Sequence, residues 1–176
     1  MDEKIFDLID KSIAALEKRD ALKLRRISAD AISEAAIEQH RELIMLGLVD
    51  YALSKILSKT HYEKSAEEFY KKILDYFKAA KDEGEGNLLK NLEKIEDAVI
   101  KLDESEGRYE ENIMQKARTK KAVKLYYGGL SLRRASELTG ANPSDVLNMV
   151  GQGKIHEFKD EGPLSERLKV AREVLK

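Results

Sequence analysis

The apolar residues of this chain recur every three or four positions along most of its 176 residues, and this spacing constrains the fold more than any other feature. Residues three and four apart lie on one face of an α-helix, so each such series predicts a helix with one buried face. Helix is the only regular element that this periodicity supports. The sequence therefore predicts an all-α protein. The series begin near these residues: Ile5, Leu22, Leu43, Phe69, Leu88 and Ala122.

Short connections between the predicted helices favour an up-and-down bundle, in which neighbours pack antiparallel. The glycines of GEGN, residues 84–87, predict a helix end and a loop, with Asn87 capping the helix that follows. Thr60 is a candidate cap of an earlier helix. Residues 21–58 have two interpretations: one long helix, or two helices with a kink near 38–41.

The charge is distributed unevenly along the chain. The net charge is −1, but residues 116–134 contain seven basic residues and no acidic one, whereas the first 115 residues carry −7. The apolar series changes phase around residues 115–119. Such asymmetry indicates two modules with different partners. We therefore predict an acidic bundle over residues 1–115 and a second module over residues 116–176, with the boundary in a loop or inside one continuous helix.

The second module has the pattern of a helix-turn-helix unit followed by a C-terminal helix. Ser131 is placed to cap a short helix, and Gly140 supplies the positive φ of a tight turn. Asn142 followed by Pro143 is a strong start for the next helix. The predicted helices are Leu132 to Thr139 and Pro143 to Val150. The residues expected to face inward from them are Leu132, Ala135, Leu138, Val146, Leu147 and Val150.

Residues 116–170 resemble a family of small uncharacterised prokaryotic proteins, described as antitoxin-like, that carry a predicted helix-turn-helix. The resemblance covers about a third of the chain and does not include the acidic bundle. It implies a DNA-binding, regulatory role. The residues that carry it are Ser131, Leu132, Ala135, Ser136, Glu137, Leu138, Gly140 and Ile155.

In a helix-turn-helix unit, the third helix enters the major groove with its first residues near the base edges. Asn and Gln side chains can read adenine, and Lys and Arg side chains neutralise phosphates. A structural role is an alternative for the polar residues and for the basic residues of this module. Asn142 and Ser144 suit helix capping, and the basic run suits contact with the acidic bundle. The predicted base-reading residues are Asn142, Ser144 and Asn148, flanked by Gln152 and Lys154. The predicted phosphate-contacting residues are Lys120, Lys121, Lys124, Arg133 and Arg134.

Composition and motifs give little support to catalysis. The chain has no cysteine, which excludes disulfides and thiolate chemistry, and its three histidines form no metal-ligand pair. No phosphate loop or dinucleotide fingerprint occurs. We therefore expect a non-enzyme without metal or cofactor.

The predicted location is the cytoplasm, because the N-terminus lacks a signal-peptide pattern and no apolar run reaches the ~20 residues that span a bilayer. Abundant Lys and Glu with only three Gln are typical of thermophilic proteins.

The leading interpretation is a cytoplasmic regulatory protein that binds double-stranded DNA, with a bundle that mediates homodimerisation or contact with a protein partner. The alternative is a non-catalytic helical interaction or scaffold protein in which the helix-turn-helix-like unit is structural.

Overall fold

A computed structural model describes residues 2–59, 62, 66–105 and 112–152. Within these ranges the chain forms eight helices and no strand, which confirms the all-α class. No helix in the described part is both long and apolar enough to cross a membrane. The helices are α1 (Asp2–Glu17), α2 (Ala21–Glu38), α3 (Arg41–Leu57), α4 (Ala66–Asp82), α5 (Glu85–Ser105), α6 (Ile113–Tyr127), α7 (Leu132–Thr139) and α8 (Pro143–Gly151).

Helix α3 lies at the centre of the molecule. It contacts α1, α2, α5, α6 and α7, and it is buried on nearly every side because its sequence is apolar almost all round. Helices α1, α2 and α3 pack on one another in chain order, whereas α4 packs chiefly on α5 and α1. The bundle therefore departs from strict sequential packing after α3.

The end of α2 and the start of α5 test two predictions made from the sequence. Residues 21–58 form two helices, because Gln39 adopts a left-handed conformation (φ 56°) and its backbone N–H donates to the carbonyl of Ala35, which ends α2. The prediction that Asn87 caps the next helix is wrong. Gly84 turns the chain at φ 71° and α5 begins at Glu85, so Asn87 lies within the first turn. Thr60 lies outside the described residues.

The buried side chains form two clusters that meet along α6. The larger cluster contains residues from all five helices α1 through α5 and from the first turns of α6, where it ends at Ala117. The smaller cluster joins the second half of α6 to α7 and α8, and includes Ile32 and Ala36 of α2. We call α6, α7 and α8 (residues 113–151) the three-helix unit. The boundary predicted at residue 115 lies inside the continuous helix α6, and the predicted C-terminal helix lies outside the described residues.

Candidate nucleic-acid interface

The turn between α7 and α8 is built from local backbone interactions. The Ser131 side chain accepts a hydrogen bond from the N–H of Arg134 (3.1 Å), which caps α7 as predicted. Gly140 follows with φ 69°, a left-handed conformation that glycine adopts without a Cβ penalty. The Asn142 side chain then accepts from the N–H of Ser144 (2.9 Å), and Pro143 begins α8. The positions predicted for both helices are thus confirmed to within a residue.

The inner faces of α7 and α8 pack against α6. Ala135 and Val146 are fully buried, and Leu132, Leu138 and Val150 are partly buried against the same cluster. The expectation that Leu147 also faces inward is wrong, since 51% of it is exposed. The reason is helical phase, because Leu147 lies about 100° around the axis from the buried Val146.

The outer face of α8 is exposed and mostly polar. Of the predicted base-reading residues, Asn142, Ser144, Asn148 and Gln152 are all exposed. The side-chain oxygen of Asn142 already accepts the capping hydrogen bond, so this residue has the structural role of a helix cap. Ser144, Asn148 and Gln152 leave their side chains on the surface, interrupted by Leu147. Lys154 and Ile155 lie outside the described residues.

Arg133 and Arg134 occupy the first turn of α7. Arg133 is the more accessible, with 89% of its side chain exposed, and its Nε donates to Glu137 Oε1 at 2.8 Å. The Nε of Arg134 donates at 3.0 Å to Oε1 of Gln39, the residue that follows α2, so this arginine also ties α7 to the bundle. With Glu137 and Asp145 nearby, residues 131–152 carry no net charge.

The predicted basic residues of α6 lie against the bundle and not beside Arg133. The Nζ of Lys124 donates to the carbonyl of Ala29 at 2.9 Å. Lys120 is partly buried, with its Nζ 5.9 Å from the ring centre of Tyr51. Lys121 is only 6% exposed, with its Nζ 4.6 Å from the same ring centre. The expectation that Lys121 contacts phosphate is therefore corrected, because a buried ammonium group has no access to DNA.

Lys121 belongs to a buried polar group beneath α6. Asp50 is fully buried in α3 and its Oδ2 accepts a hydrogen bond from Ser12 Oγ of α1 at 2.7 Å. Burial raises the pKa of Asp50 to about 8, against smaller opposing effects of the Ser12 hydrogen bond and the Lys121 charge. Burial likewise lowers the pKa of Lys121 to about 7, helped by the neighbouring positive charge of Lys124. Asp50 Oδ1 has no hydrogen-bond partner among the described residues.

Neither Asp50 nor the role of Arg118 was predicted from the sequence. A signal for Asp50 is present, since it is an acidic residue within an otherwise apolar stretch of α3. Arg118 belongs to the basic segment, but its role depends on α5, because its Nη2 donates to Glu96 Oε1 at 2.6 Å. No pattern within α6 identifies that partner, which lies 22 residues earlier in the chain.

Comparisons of the chain with protein-family models, curated proteins and solved structures gave no significant match.

Proposed function

We propose that this protein is a cytoplasmic regulatory protein that binds double-stranded DNA through the outer face of α8 and the first turn of α7. The observation that carries the proposal is the division of α8 into two faces. Its apolar side packs on α6, while Ser144, Asn148 and Gln152 stay exposed on the opposite side. Polar side chains on an accessible helix that follows a tight turn suit base reading in the major groove. Arg133 is placed to contact the phosphate backbone.

The charge around α8 favours modest affinity for a single copy. Among the described residues near α8, Arg133 and Arg134 supply the exposed positive charge, and Glu137 and Asp145 offset them. Two copies that pair through the bundle present two half-sites, which raises affinity by simultaneous binding. The proposal therefore includes a homodimer on DNA.

Salt dependence of DNA binding tests the number of phosphate contacts. Each neutralised phosphate contributes about −0.9 to the slope of log affinity against log salt concentration. Two arginines per copy predict a slope of about −2 for a monomer and about −4 for a dimer. Fluorescence anisotropy with labelled duplex DNA over a salt series, with the oligomeric state measured in parallel, gives this slope. An affinity independent of salt contradicts the proposal.

Arg133→Gln is expected to weaken binding to all duplex sequences alike and to reduce the magnitude of the salt slope by about 1 per protomer. The buried Lys121 provides a contrasting variant, because Lys121→Met should leave the slope unchanged. Lys71→Gln, at an exposed position of α4, is the matched surface control. Equal effects of Arg133→Gln and Lys71→Gln would show that α7 does not approach DNA.

A second candidate function is a non-catalytic interaction or scaffold protein in which the three-helix unit is structural. The observation that favours it is the internal use of basic side chains, since Arg118, Lys121 and Lys124 all engage the bundle. Under this function the protein shows no binding to duplex DNA even at low salt, where the electrostatic attraction is strongest. The same anisotropy measurement therefore separates the two functions.

A further inference from the structure

A cleft of about 510 Å³ lies between the bundle and the three-helix unit. Its lining residues come from α3, α5, α6 and α7, together with Gln39 and Gly140. Ile44 and Leu48 form a buried apolar floor, and Met45 and Leu138 extend it. Small-molecule sites commonly have this size, an apolar lining and a few convergent polar groups.

Two of the three arginines that line the cleft already have partners. Arg118 donates to Glu96 at 2.6 Å, and its guanidinium carbon lies 3.8 Å from the position of a Cβ added to Gly140. Arg134 donates to Gln39 at 3.0 Å. These contacts fix the positions of both guanidinium groups without any ligand.

Glu137 also lines the cleft and pairs with Arg133, which leaves Arg41 of α3 and Glu93 of α5 as the remaining charged residues of the lining. Both are exposed, and neither forms an ion pair or side-chain hydrogen bond with another residue in the described ranges. The cleft thus offers one cation and one anion, both without a partner in the described part of the chain, beside an apolar floor.

We propose that this cleft binds a free α-amino acid with an apolar side chain. Arg41 pairs with the ligand carboxylate, Glu93 pairs with the ammonium group, and the ligand side chain packs on Met45, Leu48 and Leu138. A zwitterion matches the single unpartnered charge of each sign, whereas an anion or a cation alone leaves one of them unpaired. The inference does not depend on DNA binding, because the protein alone supplies both charges and the apolar floor.

Isothermal titration calorimetry without DNA tests the proposal, with L-leucine, L-methionine and L-phenylalanine as probes. We expect at least one of them to bind in the micromolar to millimolar range. Two analogues of leucine isolate the charges: 3-methylbutylamine lacks the carboxylate and 4-methylpentanoate lacks the ammonium group. Each is expected to bind at least about tenfold more weakly than L-leucine, because charge-assisted hydrogen bonds are lost.

Two variants connect each charge to its residue. Arg41→Gln should weaken L-leucine binding and remove the difference between L-leucine and 3-methylbutylamine. Glu93→Gln should likewise weaken L-leucine binding and remove the difference in affinity between L-leucine and 4-methylpentanoate. Arg26→Gln and Glu68→Gln, at exposed positions on α2 and α4, are controls that keep wild-type affinity. Absence of binding by all three amino acids, or unchanged affinity in both cleft variants, would overturn the proposal.

Discussion

Asp50→Asn is expected to raise the free energy of unfolding by about 5 kcal/mol at pH 8 and above, and to change it little near pH 4. The carboxyl group is fully buried in α3, and burial raises its pKa from 3.8 to about 8. Ionisation therefore costs far more in the folded protein than in the unfolded chain. Asparagine keeps an oxygen that accepts the hydrogen bond from Ser12 and carries no charge at any pH.

The direction of the pH dependence follows from the raised pKa of Asp50. The folded protein holds a proton that the unfolded chain releases, so the stabilising contribution is complete below about pH 4 and is lost as the pH rises to about 8. Lys121 acts in the opposite direction. Its pKa is lowered from 10.5 to about 7, so its contribution is complete above about pH 10.5 and is lost as the pH falls toward 7. The combined destabilisation of the folded protein by Asp50 and Lys121 is therefore expected to be largest between about pH 7 and 8.

Urea denaturation of the wild type and Asp50→Asn from about pH 4 to pH 9 measures this difference. Asp75→Asn, at an exposed position of α4, is the matched control and should follow the wild-type curve. Parallel curves for the wild type and Asp50→Asn across this range would show that Asp50 does not titrate with a raised pKa.

Gly47→Ala is expected to lower the free energy of unfolding by about 1–3 kcal/mol, because it overpacks the contact between α2 and α3. A Cβ on Gly47 would lie 2.6 Å from Cγ1 and 2.7 Å from Cδ1 of Ile32, and 3.3 Å from the carbonyl oxygen of Ser28. Ile32 is itself fully buried against the three-helix unit, so it has little room to move. The strain therefore reaches the packing of α6 as well as the α2–α3 contact.

A second substitution tests the cause of this loss. Removing both clashing atoms with Ile32→Ala should make the Gly47→Ala/Ile32→Ala double variant more stable than the sum of the two single effects predicts. Gly86→Ala is the matched control, since no atom lies within 4 Å of the added Cβ and alanine favours the helix by about 0.5–1 kcal/mol. Additive effects in the double variant would exclude the Ile32 contact as the cause. Thermal or urea unfolding measures all these variants.

The helices that can be derived from the sequence are those whose ends are fixed by neighbouring residues. Ser131, Gly140 and Asn142 are recognisable in the sequence because each acts on backbone groups within three positions. The sequence does not decide between one and two helices over residues 21–58, because no proline or glycine marks the break at Gln39. Asn87 misleads for a related reason: its type suits a cap, but the chain turns earlier, at Gly84.

The candidate interface is only partly predictable from the sequence. Exposure of Ser144 and Asn148 agrees with the predicted surface of α8, whereas the basic segment divides between surface and interior. Arg133 is exposed and Lys121 is buried, although both belong to the same positively charged run. The sequence gives the net charge of a segment, but it does not show which of its charged side chains face solvent and which face the interior.

The sequence by itself determined that this protein is helical and where the short helices α7 and α8 begin, because helical periodicity and capping act over one or two turns. Only the tertiary structure decided the partners of the charged residues. Lys124 reaches a carbonyl 95 positions away, and Asp50 bonds to Ser12 38 positions away. Those contacts depend on how separate helices pack, so the structure alone assigns the α6 lysines to the bundle and leaves Arg133 on the surface.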